Sequence, residues 1–124
     1  MPLSRREIIQ LARSIEDRRN ALAEEIRRGR GRARAEPYAE IAGSAPDLGD
    51  QAVADLLSDV AEGEVTRDVT ELRALDAAHK RLADGTFGIC VDCGVDIPLQ
   101  RLEVEPEAAR CVECQSRHEK TYRS

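Results

Sequence analysis

Four cysteines stand in two pairs, Cys90-Val-Asp-Cys93 and Cys111-Val-Glu-Cys114, with seventeen residues between the pairs. No other feature of the chain restricts its fold so strongly. Two residues between cysteines let both thiolates of a pair reach one ion without strain, and the longer segment can turn back to present the second pair. Such spacing is the pattern of a four-thiolate zinc site. A shell closed by four protein ligands leaves no open position for a substrate. Zn²⁺ is therefore expected as a structural cofactor held by Cys90, Cys93, Cys111 and Cys114, in a chain that is not an enzyme. Two disulfides, in any of three pairings, are the alternative, and a Cys3His shell that recruits His118 is another. The thiol reading is preferred because nothing in the chain points to an oxidising compartment.

The rest of the composition suits helices better than a globule. Aromatic residues make up 2% of the 124, with no Trp, whereas charged residues make up 35%. Large aromatics usually fill the centre of a compact domain. Here Leu, Ile, Val and Ala are diluted by charge, as in long exposed helices. The length allows about one domain, or one elongated element with a small module. The net charge is −5, and four thiolates around Zn²⁺ would take it to about −7. That balance argues against general coating of DNA. No signal peptide is expected at the start, and no segment approaches membrane-spanning length, so a cytoplasmic protein without membrane contact is expected.

Ser4-Arg-Arg-Glu7 has the form of a capping box, in which the serine hydroxyl and the glutamate carboxylate each accept from the other's amide. Behind it Ile8, Leu11, Ile15, Leu22 and Ile26 recur at helical steps, with Arg18 where another apolar residue would fit. The helix is expected to fray over Arg27-Arg-Gly-Arg-Gly-Arg-Ala-Arg34, because each glycine weakens a helix by about 1 kcal/mol. Pro37 and Pro46 bracket a short turn and loop. A second helix is expected from Asp47–Asp50 to Asp84, carrying Val53, Leu57, Val60, Val65, Val69, Leu72, Leu75, His79 and Leu82 on one stripe, with a phase slip near Gly63. About 35 residues of helix would span roughly 50 Å. Gly85 is the natural left-handed residue after it. Neither stripe can be buried alone. The expected fold is mainly α: an antiparallel two-helix coiled-coil hairpin over 1–84 with an acidic tip near 47–52, followed by a four-cysteine zinc-finger module and a C-terminal helix over 85–124. A parallel dimeric coiled coil is the rival, but the prolines argue against one rod, and a monomer is expected. Gly94 is expected in a tight turn beside the thiolates, and Ile97, Leu102 and Val104 in a small core that the metal completes.

Asp47-Leu-Gly-Asp50-Gln-Ala52 places two carboxylates at the expected hairpin end. Local physics accounts for both: Asp47 as N-cap, and Asp50 in the first turn, where the helix dipole favours negative charge. A paired-carboxylate catalyst is not expected, since no histidine is near and a hairpin end has no walls to exclude water. If this end is functional, it acts on something outside the chain.

These residues resemble the DksA/TraR family of bacterial RNA polymerase-binding regulators. The segment Gly85-Thr-Phe87-Gly88-Ile-Cys90-Val-Asp-Cys93-Gly94 through Ile97, Pro98, Arg101, Leu102 and Pro106 to Cys111-Val-Glu-Cys114 is similar to the family's zinc finger. Asp47, Asp50 and Ala52 match the DxxDxA signature of its coiled-coil tip, at the family's separation from the finger. The resemblance is strong from Asp47 to Cys114 and weak before that. It implies a regulator whose coiled coil enters the secondary channel of RNA polymerase. There Asp50, supported by Asp47 and Ala52, approaches the active site and alters promoter-complex stability. Arg67 matches a basic family position and is a candidate contact with the channel rim; the alternative is a solvated salt-bridge partner. Where the family's best-known member shares a ppGpp site with polymerase, the aligned positions are Glu71, Ala74, Glu105 and Gln115. Glu repels a pyrophosphate, and Ala and Gln bring no charge, so the resemblance implies no dependence on that ppGpp site.

The alternative reading is a zinc-ribbon interaction or nucleic-acid-binding module. Arg27, Arg28, Arg30, Arg32 and Arg34 are its candidate phosphate contacts. No aromatic residues are interleaved with them to stack bases, which favours a solvated face or a contact with acidic polymerase surface. A transcript-cleavage stimulator like the Gre factors is a third class, but those proteins lack this finger.

Overall fold

A computed structural model of the chain describes residues 2–33, 49–60 and 66–122. Among them lie five helices: α1 (Arg5–Ala33), α2 (Asp50–Asp59), α3 (Arg67–Asp84), α4 (Leu99–Val104) and α5 (Val112–Tyr122). Extended structure among the described residues is confined to one antiparallel bridge, Ile89 with Asp96. The chain is mainly helical, as its composition predicts.

The capping box forms as expected. The Ser4 amide donates to Glu7 Oε1 at 2.8 Å, and the Glu7 amide donates to Ser4 Oγ at 3.1 Å. Two amides that the helix cannot satisfy are thereby satisfied, which is worth about 1 kcal/mol. The helix does not fray at Arg27 but continues through Gly29 to Ala33. Glu24 contributes, accepting from Arg28 Nε at 3.1 Å, four residues on. The α1–α2 connection, with Tyr38 and the two prolines, lies outside the described residues.

Two compact units divide the chain, one made of Met1–Ile15 with Ala77–Ser124, the other of Glu16–Asp76. The division therefore falls inside helices α1 and α3. In the second unit Ala23, Val53, Leu56, Val60, Val69 and Leu72 form the core, with Leu22, Ile26 and Leu57 packed against it. Arg19 meets Asp76, while Leu22, Ala23 and Ile26 share the core with Leu72 and Val69. Rising positions on α1 meet falling positions on α3, which is an antiparallel pair.

The single helix expected over 50–84 is instead two, α2 and α3. One side chain shows why they cannot be collinear. Arg19 Nη1 lies 3.0 Å from Asp50 and Arg19 Nε 3.2 Å from Asp76. These carboxylates are 26 residues apart in sequence, about 39 Å along one helix. The chain folds back between them, and α2 lays Val53, Leu56 and Val60 onto the same core as Val69 and Leu72.

The first unit has its own core of Leu11, Ile15, Ala78, Phe87, Cys90, Ile97, Leu102, Ala108 and Cys114. Helix α3 ends as its sequence predicts: Gly85 takes φ +82°, and the Thr86 amide donates back to the Arg81 carbonyl at 3.0 Å, closing a Schellman motif. Of the three residues expected in the finger's small core, Ile97 and Leu102 are buried, but Val104 is 71% exposed. Val104 is the last residue of the short α4, whose buried face belongs to Leu102.

Candidate metal centre and acidic helix start

The cysteine pairs are shaped by glycines and backbone amides. Gly88 and Gly94 both have positive φ, +85° and +78°, a region that L side chains avoid. The Gly94 amide donates to the Cys90 carbonyl at 3.0 Å, and the Cys90 amide to the Val95 carbonyl at 2.8 Å. This turn brings Cys93 back beside Cys90. The second pair is held from the other side. The Val91 amide donates to the Ala109 carbonyl at 2.9 Å, and Arg110 Nε donates to Asp92 Oδ2 at 2.8 Å. Cys114 then lies on the first turn of α5.

The four sulfur atoms lie within 4.8 Å of one another, and Cys93 Sγ is 3.8 Å from Cys111 Sγ. A tetrahedral ion with Zn–S bonds of about 2.3 Å requires sulfur–sulfur separations of about 3.8 Å. The donor set therefore fits Zn²⁺. All four cysteines are free, so none of the three disulfide pairings forms, and His118 stands on α5 outside the four-residue cluster. Cys90 and Cys114 are buried, whereas Cys93 is exposed and Cys111 half-buried. Burial pushes the Cys90 thiol up, but the amides of Cys93, Cys111 and Asp92 outweigh it and bring Cys90 down to about 6. Cys114 is pushed up to about 12, first by the Cys111 and Cys93 thiols and then by burial. Cys90 is thus prepared as an anion, while Cys114 needs a cation to become one.

The acidic end differs more from expectation. Asp47 lies outside the described residues, and the N-cap of α2 is Gly49 rather than Asp47. Asp50 is the first residue of α2, in the acidic first turn that the dipole favours. It meets Arg19, on the same guanidinium as Asp76. The Asp50 side chain is nonetheless 75% exposed, and Ala52 is exposed beside it. Arg67 opens α3 and is exposed. Arg27 and Arg28 both contact the buried Glu24, at 3.3 and 3.1 Å, as salt-bridge partners on a helix face. Arg30 and Arg32 belong to α1, but their side chains lie outside the described residues, as does Arg34. Glu71 and Glu105 are exposed, Ala74 is half-buried, and Gln115 donates to Glu119 at 3.2 Å.

Sequence reasoning missed Arg19. It follows Leu11 and Ile15 by steps of four and precedes the buried Ala23 by another, yet it is polar, so apolar periodicity alone passes over it. The signal was available: a basic residue on the apolar row of a helix demands acidic partners.

Comparison with known proteins bears on the finger. Residues 85–120 match the family described as the prokaryotic dksA/traR C4-type zinc finger. The RNA polymerase-binding transcription factor DksA of Caulobacter vibrioides is 45% identical over 49 residues, which cover 40% of this chain and 34% of that protein. General stress protein 16O of Bacillus subtilis is 36% identical over 64 residues, covering 52% of this chain and 38% of that protein. DksA of Escherichia coli K12 is 36% identical over 45 residues, covering 36% and 30%. The chain thus spans about a third of the length of the curated relatives it matches. The glycine-set turns and the four converging sulfurs lie in the stretch that the family model matches, and it is in this finger that the chain is similar to the DksA/TraR family.

Proposed function

We propose that this protein is a bacterial transcription regulator, not an enzyme, that binds RNA polymerase in its secondary channel. Support comes from one observation above all: a four-thiolate finger at residues 85–120 similar to that of proteins named for polymerase binding. Zn²⁺ held by Cys90, Cys93, Cys111 and Cys114 has a structural part, tying the two cysteine pairs into the core of Phe87, Ile97 and Leu102. Asp50, with Asp47 and Ala52 beside it, is the group that acts on polymerase and alters the stability of promoter complexes. The exposure of Asp50 favours this, since an acting carboxylate must be reachable. Arg67, also exposed, is a rim contact. A cytoplasmic location follows from the partner. No ppGpp site of the family's kind is used, because Glu71 and Glu105 oppose a pyrophosphate.

The test is retention of the zinc-loaded chain on immobilised core polymerase, with and without a saturating competitor known to occupy the secondary channel. Retention abolished by the competitor is expected. Failure to bind would overturn the reading, and binding indifferent to the competitor would remove the channel from it. Asp50→Asn should leave binding intact and remove the change in promoter-complex lifetime. That lifetime should respond equally with and without ppGpp.

A further inference from the structure

We infer that Arg19 is a positioning residue for the Asp50 carboxylate, an assignment that rests on the reading of Asp50 as the acting group. Arg19 occupies a place on α1 that an apolar side chain would fill, and its side chain is only 6% exposed. Burying a guanidinium is costly unless each of its edges finds an acceptor. Two acceptors are supplied, and they differ in kind. Asp76, itself 12% exposed, takes the Nε hydrogen at 3.2 Å. Asp50, exposed, takes the Nη1 hydrogen through Oδ1 at 3.0 Å.

The inner carboxylate fixes the plane of the guanidinium, and the planar fork then fixes where its outer hydrogen points. A flexible, solvated lysine would supply charge without that direction. Asp76–Arg19–Asp50 is therefore a relay running from the core of one unit to its surface. At its end one carboxylate oxygen is held on a side chain that is 75% exposed. A carboxylate on the first residue of a helix would otherwise sample several rotamers, only some of them productive.

The experiment compares zinc-loaded full chains carrying Asp50→Asn, Asp50→Glu, Arg19→Lys or no change. Each is measured for helix content, affinity for core polymerase and effect on promoter-complex lifetime. Arg19→Lys should keep helix content and bind within about twofold of the parent, yet lose roughly tenfold of its effect, the scale of one charged hydrogen bond. Asp50→Glu leaves the buried Arg19–Asp76 pair untouched and moves the carboxylate by one methylene; it should lose a similar share. Adding Arg19→Lys to Asp50→Asn should change nothing further. Full effect in Arg19→Lys and Asp50→Glu, with Asp50→Asn inactive, would overturn the role of Arg19 and leave Asp50 as the acting group. An effect that falls only in proportion to binding would also overturn it, since that is what a purely structural pair would do. Full effect in Asp50→Asn would instead remove Asp50, and with it the reason to position it.

Discussion

Replacing Asp76 by Asn should cost far more than replacing Asp50 by Asn, although both carboxylates touch the same guanidinium. Asp76→Asn keeps shape and an acceptor oxygen and removes only charge. It leaves the buried Arg19 facing one partner that is 75% exposed and screened by water. Removing one member of a buried ion pair typically costs 3–5 kcal/mol; because Asn still accepts from Nε, about 3 kcal/mol is expected here. Asp50→Asn breaks a pair whose outer partner is solvated, where about 0–1 kcal/mol is typical. Urea denaturation followed by helix signal separates the two. With a slope of about 1.5–2 kcal/mol per molar, Asp76→Asn should lower the midpoint by roughly 1.5–2 M, and Asp50→Asn by about 0.7 M or less. The double replacement Arg19→Met with Asp76→Leu should recover most of the loss, because apolar groups of similar volume remove the desolvation cost along with the attraction. Equal midpoints for the two single variants would refute the claim that Asp76 is the anchoring partner. A double variant no better than Asp76→Asn would show that the ion pair is itself a net source of stability.

The finger offers two further tests. Zinc affinity should fall on acidification, because protons compete for the thiolates. Cys90, held at about 6, stays ionised down to that pH and takes up its proton only below it. A plot of log affinity against pH should therefore steepen by about one proton below roughly pH 6; a constant slope through that region would contradict the assignment. Gly88→Ala and Gly94→Ala both force a side chain into positive φ, at about 1–2 kcal/mol. At Gly88 the new Cβ would also lie 3.0 Å from Leu3 Cδ1, whereas at Gly94 nothing lies within 4 Å. Thermal denaturation of the zinc-loaded chain should show Gly88→Ala to be the more damaging, and the reverse order would mean that Leu3 does not pack there.

Much of this architecture was legible in the chain because its signals are local. Ser4 and Glu7 announce a helix start within four residues. Gly85 marks the stop, and the cysteine spacing dictates convergence of the sulfurs whatever lies between. The fold-back of α2 was not legible. Val53, Val60, Val69 and Leu72 mark one apolar face, and periodicity says which residues are buried but not whether consecutive segments are collinear. Gly63 interrupts that pattern, and in sequence it reads only as a phase slip. Arg19 was missed for a related reason. A residue is assigned to the core by its polarity, and only the partners Asp50 and Asp76, 31 and 57 residues away, make a buried arginine acceptable. Val104 was misplaced because a six-residue helix turns one side chain inward and its neighbours out, and spacing does not reveal that phase.

The packing of the first unit carries a consequence for what counts as a module. The stretch that comparison recognises, residues 85–120, contains every ligand. Yet its core also takes in Leu11 and Ile15 from the opening helix, Ala78 from α3, and Leu3 and Leu82 at its margin. The recognised segment is contiguous, while folding draws on two distant portions of polypeptide. A graft of the recognised stretch into another host would transfer the thiols and leave behind the apolar walls against which they are set.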